Sequence, residues 1–492
     1  MNSHDSLPPL AATPATEPHS PDRLAAGFPP GFAWGAGTSA FQIEGATRAG
    51  GRGVSIWDTF AAAPGNVADG DTGEEAADHY HRYAEDVALL RSLGIGHYRF
   101  SVAWPRIQPD GTGPANPAGL DFYDRLVDAL LDSGIRPWVT LYHWDLPQAL
   151  EDAGGWPRRD TAHRFADYAA LVHQRLGDRV RDWITVNEPW VVANLGHVTG
   201  EHAPGRREPA AAAAAVHHLL LGHGLTTAAI RDQDSGPAAD PLAVGLAHNP
   251  EPVRPHTGSD ADRDAARRVD GTRNRIFLDP LYYGSYPADV LADLGDLWDP
   301  ATVRDGDLAT ISAPLDFLGV NYYSPARVAS APEAGAAEEA PDSPAPLGWE
   351  GVTAVSSGLP RTDQDWEVDA TGMTEILTRI AADYPGVALY VTENGASYRD
   401  EVAADGAVRD PDRTAYLASH VRAVRDAVDA GAPVRGYFVW SLLDNFEWAF
   451  GYRERFGVVH VDFSSQRRTV KDSGIWYSRL ASGAGEAGDD AS

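Results

Sequence analysis

The stretch that most constrains this chain is residues 180–189, VRDWITVNEP. Val, Ile, Trp and Thr favour an extended, buried strand, and Pro189 cannot donate the next ladder hydrogen bond, so pairing stops there. The strand therefore presents Asn187 and Glu188 at its carboxyl end. A second run, residues 387–395 (VALYVTENG), repeats the design: apolar residues, then Thr392, Glu393 and Asn394, then Gly395 as a chain breaker. Taken singly, a glutamate at a strand end is ordinarily a solvated turn residue or an ion-pair partner. Two of them, each beside an asparagine, matter if the fold brings the strand ends together.

The rest of the chain supplies such a fold. From residue 31 onward, extended apolar runs alternate with amphipathic helical ones. Strands are expected at 32–43, 96–104, 136–145, 180–189, 242–249, 315–323, 387–394 and 434–445. Helices are expected at 78–93, 119–133, 164–176, 210–232, 262–277, 372–384, 411–430 and 473–480. The six consecutive alanines from Ala210 reflect helix propensity. Eight alternations with continuously apolar strands imply a single α/β domain, a (β/α)8 barrel with elaborated loops over residues 27–482. An open doubly wound sheet is the competitor, but GAGTSA at 35–40 lacks the G-x-G-x-x-G ending and the acidic residue about 20 positions on. Residues 1–26 and 483–492 are expected to be disordered tails. The Pro, Ala, Gly and Glu-rich stretch 330–359 is expected to be a surface excursion.

Composition narrows the partners. A net charge of -30, from 70 acidic against 40 basic residues, opposes binding to nucleic acid or to an anionic lipid surface and favours uncharged small molecules. Only one of the basic residues is a lysine, Lys471. Cysteine is absent, which excludes disulfides, a thiolate metal site and a cysteine nucleophile. The first 26 residues contain no apolar signal segment, and no run of about 18 apolar residues occurs, so a cytoplasmic protein without a membrane span is expected. Neither H-E-x-x-H nor G-x-S-x-G is present. The pairs His79 with His81 and His217 with His218 lie in expected helices at spacings that point apart, so neither a metal nor any cofactor is expected.

In a barrel of this kind the residues at the carboxyl ends of the strands converge. Here they are Gln42, Arg99, His143, Trp144, Asn187, Glu188, Asn321, Tyr323, Glu393 and Trp440, with Glu447 and Trp448 just beyond. Amides, an imidazole and carboxylates can satisfy a ring of hydroxyls, and indole faces suit the C–H faces of a sugar. Two carboxylates among them are what glycoside hydrolysis needs.

At this point the segments FAWGAGTSAFQIEG, GRGVSIWDTF, YRFSVAWPRIQP, YHWDLPQAL, TVNEPW, GVNYYSP, YVTENG and WSLLDNFEWAFGYRERFGVVHVDF are similar to those of glycoside hydrolase family 1, over about residues 28–480. The resemblance implies an exo-acting, retaining β-glucosidase that also accepts β-galactosides and β-fucosides. It implies Glu188 as general acid/base and Glu393 as nucleophile. Gln42, His143, Trp144, Asn187, Tyr323, Trp440, Glu447 and Trp448 would hold the sugar, with Arg99 and Asn321 supporting the nucleophile and Arg99 and Tyr323 flanking it. Members that take 6-phosphorylated sugars carry Ser, Lys and Tyr where this chain has Glu447, Glu454 and Phe456, so a phospho-glycosidase is not expected. Glu188, where thioglucoside-cleaving relatives have Gln, implies ordinary O-glycosides. Val186, where a larger apolar residue is common, and Asp365, where Gly is common beside the aglycone-side Trp366, depart from the pattern. The alternatives are a mainly transglycosylating enzyme on the same site and a non-catalytic carbohydrate-binding barrel.

Overall fold

In the computed structural model the described residues are 20–237, 239–331 and 344–486. Eight parallel strands close on themselves: β1 (Ala33–Gly37), β2 (His97–Ser101), β3 (Arg136–Tyr142), β4 (Asp182–Asn187), β5 (Ala243–His248), β6 (Phe317–Asn321), β7 (Ala388–Asn394) and β8 (Val434–Trp440). Each pairs with its neighbour in sequence, and β8 closes the ring on β1 with Gly37 opposite Trp440. The (β/α)8 barrel is therefore the fold. Helices such as His79–Ser92, Pro117–Asp132, Arg159–Leu176 and Pro411–Asp429 cover the outside.

The strands read as unbroken apolar runs because both faces are covered. Their outward side chains pack under the helices, whose own inner faces contribute Leu90, Phe122, Leu126 and Val172, all fully buried. The inward ones meet across the axis, where Trp138, Ile184, Ala247, Phe317 and Phe438 form a separate apolar cluster. Burying side chains of this size contributes about 1.5–3 kcal/mol apiece. Gly35 makes room for the plug, since a Cβ there would lie 2.3 Å from the Phe438 ring. Above this layer the interior turns polar.

Several strands are shorter than the sequence runs suggested. The first stops at Gly37, and Gln42 lies in a short helix, Ala40–Ile43, rather than on a strand. His143 and Trp144, Tyr323, and residues 441–445 likewise fall just past β3, β6 and β8. Apolar composition continues into these segments because they pack as buried loops over the barrel mouth. The helix expected at 262–277 is divided into Asp260–Asp270, a π turn Gly271–Arg275 and Ile276–Tyr283, the last accommodating Pro280.

The ends of the chain also differ from expectation. A helix at Pro21–Ala25, inside the stretch read as a tail, packs on the C-terminal helix Asp472–Glu486, which runs past residue 483. Residues 1–19 and 487–492 lie outside the described residues. Of the stretch 330–359, residues 332–343 also lie outside them. Its flanks are not a simple excursion. Ala326–Ser330 pairs with Val352–Ala354 and with Val253–Pro255 in a three-stranded sheet, and the buried Leu347 donates its backbone N–H to Asn194 Oδ1 at 2.9 Å. No helix among the described residues is long and apolar enough to cross a membrane.

The C-terminal helix is locked to the barrel by Tyr477, whose buried hydroxyl donates to the Gly35 carbonyl at 2.6 Å and lies 3.1 Å from the Tyr437 carbonyl. Replacing Tyr477 with Phe leaves these buried acceptors without that donor. The expected cost is about 1–3 kcal/mol, read as a lower denaturation midpoint in urea with unchanged far-ultraviolet circular dichroism.

Candidate active site

The polar layer over the plug starts with Arg99, pointing inward from β2 and fully buried. Its Nη1 donates to Glu393 Oε1 at 2.6 Å and to the Thr392 carbonyl at 3.0 Å, Nη2 to Asn187 Oδ1 at 2.6 Å, and Nε to Thr140 Oγ1 at 3.2 Å. Asn187 Oδ1 also accepts from Asn321 Nδ2 at 3.0 Å, which fixes the orientation of that amide. The other hand of Asn187, Nδ2, therefore faces His143 Nε2 at 3.1 Å. Asn321 pairs opposite Glu393 in the β6–β7 ladder and helps hold charge on that carboxyl, and it also donates Nδ2 to Glu188 Oε1 at 2.6 Å, while its Oδ1 accepts from Thr392 Oγ1 at 2.6 Å. The phenol of Tyr323 donates to Glu393 Oε2 at 2.6 Å. Glu188 and Glu393 are thus joined through one unbroken chain of contacts, Glu393 to Arg99 to Asn187 to Asn321 to Glu188.

The two carboxylates differ in what faces them. Burial, reinforced by the neighbouring Glu393 charge, pushes Glu188 up to about 8 against the opposing pull of the Asn321 amide and the Arg273 and Arg99 charges. Burial also raises Glu393, but the Arg99 guanidinium and the Tyr323 hydroxyl hold charge there. Of the pair, Glu393 ionises first. His143 is pushed well down by burial and by Arg99, so it is a neutral imidazole. With Nε2 accepting from Asn187, its proton sits on Nδ1, which has no partner among the described residues.

A second group forms the wall beyond β8. Trp440 and Trp448 both stack with the His143 ring, at 5.7 and 6.0 Å between centroids and within 15° of parallel. Trp144 packs on Trp448 at 4.6 Å, and its Nε1 donates to the Asn187 carbonyl at 3.0 Å. Gln42 Nε2 reaches Asn445 Oδ1 at 3.0 Å, the Phe446 carbonyl at 3.0 Å and Glu447 Oε2 at 3.3 Å, while Ser39 Oγ donates to Gln42 Oε1 at 2.6 Å. Glu447, held also by Gln364 Nε2 at 3.3 Å, is pushed up to about 8 by burial and by the nearby Glu393.

Backbone strain gathers at the same place. Glu188, Trp144 and Trp448 have φ of 48°, 77° and 50°, a region that non-glycine residues occupy at a cost of about 1–3 kcal/mol. Glu188 turns the chain sharply, since β4 ends at Asn187 and Pro189 opens the helix Pro189–Asn194, a position that suits proline. Gly395, read from sequence as a chain breaker, is required for close approach: a Cβ there would fall 1.7 Å from the Trp440 carbonyl oxygen. Asp365 has φ 63° and pairs with Arg361 at 2.6 Å, so the position favours Gly for backbone reasons.

All twelve residues singled out from sequence therefore meet at one end of the barrel. Ser39, Gln364 and Asn445 were not singled out, though each lies within a few positions of a residue or motif that was, and Thr392 was noted only as part of its strand-end run. Arg273 had no sequence signal. It stacks 3.7 Å above the Trp190 ring, close enough for its charge to act on Glu188. His217 and His218 are engaged elsewhere, His217 with Tyr286 and Asp307 and His218 with the Trp156 carbonyl. Among the described residues no group of His, Cys, Asp or Glu could hold a metal ion.

Known proteins resemble this chain over nearly its whole length. The family model of glycosyl hydrolase family 1 matches residues 24–486. The chain is 53% identical to a thermostable β-glucosidase B from Thermobispora bispora over 92% of this chain and 89% of that one. It is 46% identical to a bifunctional β-D-glucosidase/β-D-fucosidase from Bifidobacterium breve, over 92% and 98%. Among solved structures it is similar to a psychrophilic β-glucosidase from Micrococcus antarcticus, with a TM-score of 0.89 and 49% identity over 94% and 98% of the chains. It is also similar to a β-glucosidase from Thermotoga maritima in complex with deoxynojirimycin, with a TM-score of 0.87 and 44% identity over 93% and 99%. A closed (β/α)8 barrel, two buried glutamates linked across its mouth and a family match over nearly the whole chain together make this protein a member of glycosyl hydrolase family 1.

Proposed function

We infer that this protein is a retaining, exo-acting β-glucosidase that releases terminal β-D-glucosyl residues, with β-galactosides and β-fucosides as further substrates. The observation that carries the reading is the unequal pair of carboxylates linked through Arg99, Asn187 and Asn321. Glu393, with Arg99 and Tyr323 on its two oxygens, is the anion that attacks the anomeric carbon. Glu188, kept protonated by burial, gives its proton to the glycosidic oxygen as that bond breaks. The glycosyl ester consumes the charge on Glu393, which removes the main anion facing Glu188. Glu188, now ionised, takes a proton from water; the water oxygen bonds to the anomeric carbon, Glu393 leaves, and the product keeps the β configuration.

The sugar itself is held, in this reading, by Gln42, His143, Asn187 and Glu447 against Trp440 and Trp448, with Trp144 buttressing Trp448. Glu454, which accepts from Ser397 Oγ at 2.6 Å, places a further acidic side chain near Glu447, and an edge built of acidic groups opposes a sugar 6-phosphate more strongly as Glu447 ionises. Trp366, packed on Tyr323 at 5.3 Å, lies towards the aglycone. The cytoplasmic location read from the sequence belongs to the same proposal.

The nucleophile assignment is tested directly by Glu393→Ala, which should abolish turnover of an aryl β-glucoside; added azide should then restore release of the aryl group with an α-glucosyl azide as product. Turnover at the wild-type rate in that variant would refute the assignment. The acid is tested by pH: kcat/KM should fall as pH rises through about 8, the value to which burial lifts Glu188, and Glu188→Gln should remove that limb. Tyr323→Phe deletes a hydrogen bond to an ionised carboxylate, worth about 1.5–3 kcal/mol, so kcat/KM should drop roughly 10- to 150-fold and the acid limb should move up in pH. Relative rates on glucoside, galactoside and fucoside of one aryl alcohol measure the glycone preference.

A further inference from the structure

Of the 40 basic residues in this chain only Lys471 is a lysine. Where arginine serves almost everywhere, the position that keeps lysine is one where a planar guanidinium does not fit. The structure gives the reason. Lys471 is fully buried, and its ammonium sits between two buried carboxylates, donating to Asp444 Oδ1 at 2.7 Å and to Asp400 Oδ2. The other faces of those carboxylates are taken by guanidinium groups. Arg455 Nη1 donates to Asp444 Oδ2 at 2.7 Å, and Arg413 reaches both oxygens of Asp400 at 2.9 and 3.1 Å. Asp410, paired with Arg413 and bound by the Ser473 backbone N–H at 2.8 Å, completes three cations against three anions. A compact point charge with donors in several directions fills the remaining gap; a fork does not.

This cluster borders the proposed sugar site. Asp444 also accepts the backbone N–H groups of Gly457 at 3.1 Å and Val461 at 3.3 Å, which ties the segment after β8 back on itself. The next residue, Asn445, accepts from Gln42 Nε2, the same amide that reaches Glu447. Asp400 belongs to the segment that follows β7, the strand carrying Glu393. We propose that Lys471 is a positioning residue: through Asp444 its ammonium sets the place of Asn445 and Glu447 at the sugar-holding edge of the site. The proposal rests on the β-glucosidase reading for the role of that edge. A purely stabilising ion cluster is the plainer account, and the two differ in what a folded variant does to sugar binding.

The experiment compares wild type with Lys471→Met and Lys471→Arg, reading far-ultraviolet circular dichroism, melting temperature, kcat and KM on an aryl β-glucoside, and calorimetric binding of deoxynojirimycin. The expected result is folded variants whose deoxynojirimycin binding and kcat/KM are both weaker by about tenfold, with the alkaline limb set by Glu188 unmoved. Combined with Glu447→Gln, the losses should fall well short of multiplying, because Lys471 acts through the same residue. If Lys471→Met does not fold, Lys471→Arg and Asp444→Asn carry the comparison. A folded variant that melts lower yet binds deoxynojirimycin and turns over within about twofold of wild type, or losses that multiply in the double variant, would overturn the proposal. A wild type that binds deoxynojirimycin but hydrolyses no aryl glucoside would instead refute the activity reading, leaving the binding comparison to decide this one.

Discussion

The buried guanidinium of Arg99 is the charge on which the centre of this barrel depends. A cation taken out of water is strongly destabilising unless each of its donors finds an acceptor. Here they are supplied by three strands around Arg99 on β2: Thr140 from β3, Asn187 from β4, and Thr392 and Glu393 from β7. The same contacts that satisfy Arg99 hold Glu393 in one rotamer and orient the Asn187 amide. Asn187 then dictates which face Asn321 presents to Glu188. The polar layer is therefore a single connected arrangement, and the left-handed backbone at Glu188, Trp144 and Trp448 is sustained by it.

Chemical asymmetry between the two glutamates follows from that arrangement. Both are buried, and burial alone would keep both protonated. The cation and the phenol are placed on Glu393 only, so one charge settles there and its presence holds the proton on Glu188. In the proposed reaction that asymmetry lets one set of side chains serve as an anion and an acid, with Glu188 changing role once the anion is consumed. Beneath this layer the apolar plug of Trp138, Phe317 and Phe438 closes the barrel, so the polar residues above it face a low-dielectric floor.

The alternation of strands and helices was legible because each barrel strand is covered on both faces and so reads as an apolar run of the right length, bounded by Gly or Pro. The carboxylates were legible because TVNEP and TENG place them at strand ends. What the sequence blurred was where each strand stops. Residues 38–43, 143–145 and 441–446 are as buried as the strands they follow, and apolar members such as Phe41, Trp144 and Leu442 prolong the strand signal, so only the backbone geometry shows Gln42 on a helix and His143 past a strand. Gly395 was read as a breaker when its role is to let β7 and β8 approach. The helix at Pro21–Ala25 was missed because it is short and polar on one side, and it is held by docking on the C-terminal helix.

By itself the sequence determined the barrel, the strand on which each glutamate is carried and the absence of thiol chemistry, because these depend on local pattern and composition. The family resemblance named Glu188 and Glu393 for their roles, but only the tertiary structure gives the two carboxyl groups unequal surroundings, because Arg99 and Tyr323 arrive from other strands to meet Glu393. It also decided that Asn321 reaches Glu188 as well as standing beside Glu393, that Arg273 lies over Trp190, and that the lone lysine is buried between two aspartates. Contacts between residues hundreds of positions apart carry no signature in either neighbourhood, and electrostatic roles are set by what stands within a few ångströms rather than by what is adjacent in the chain.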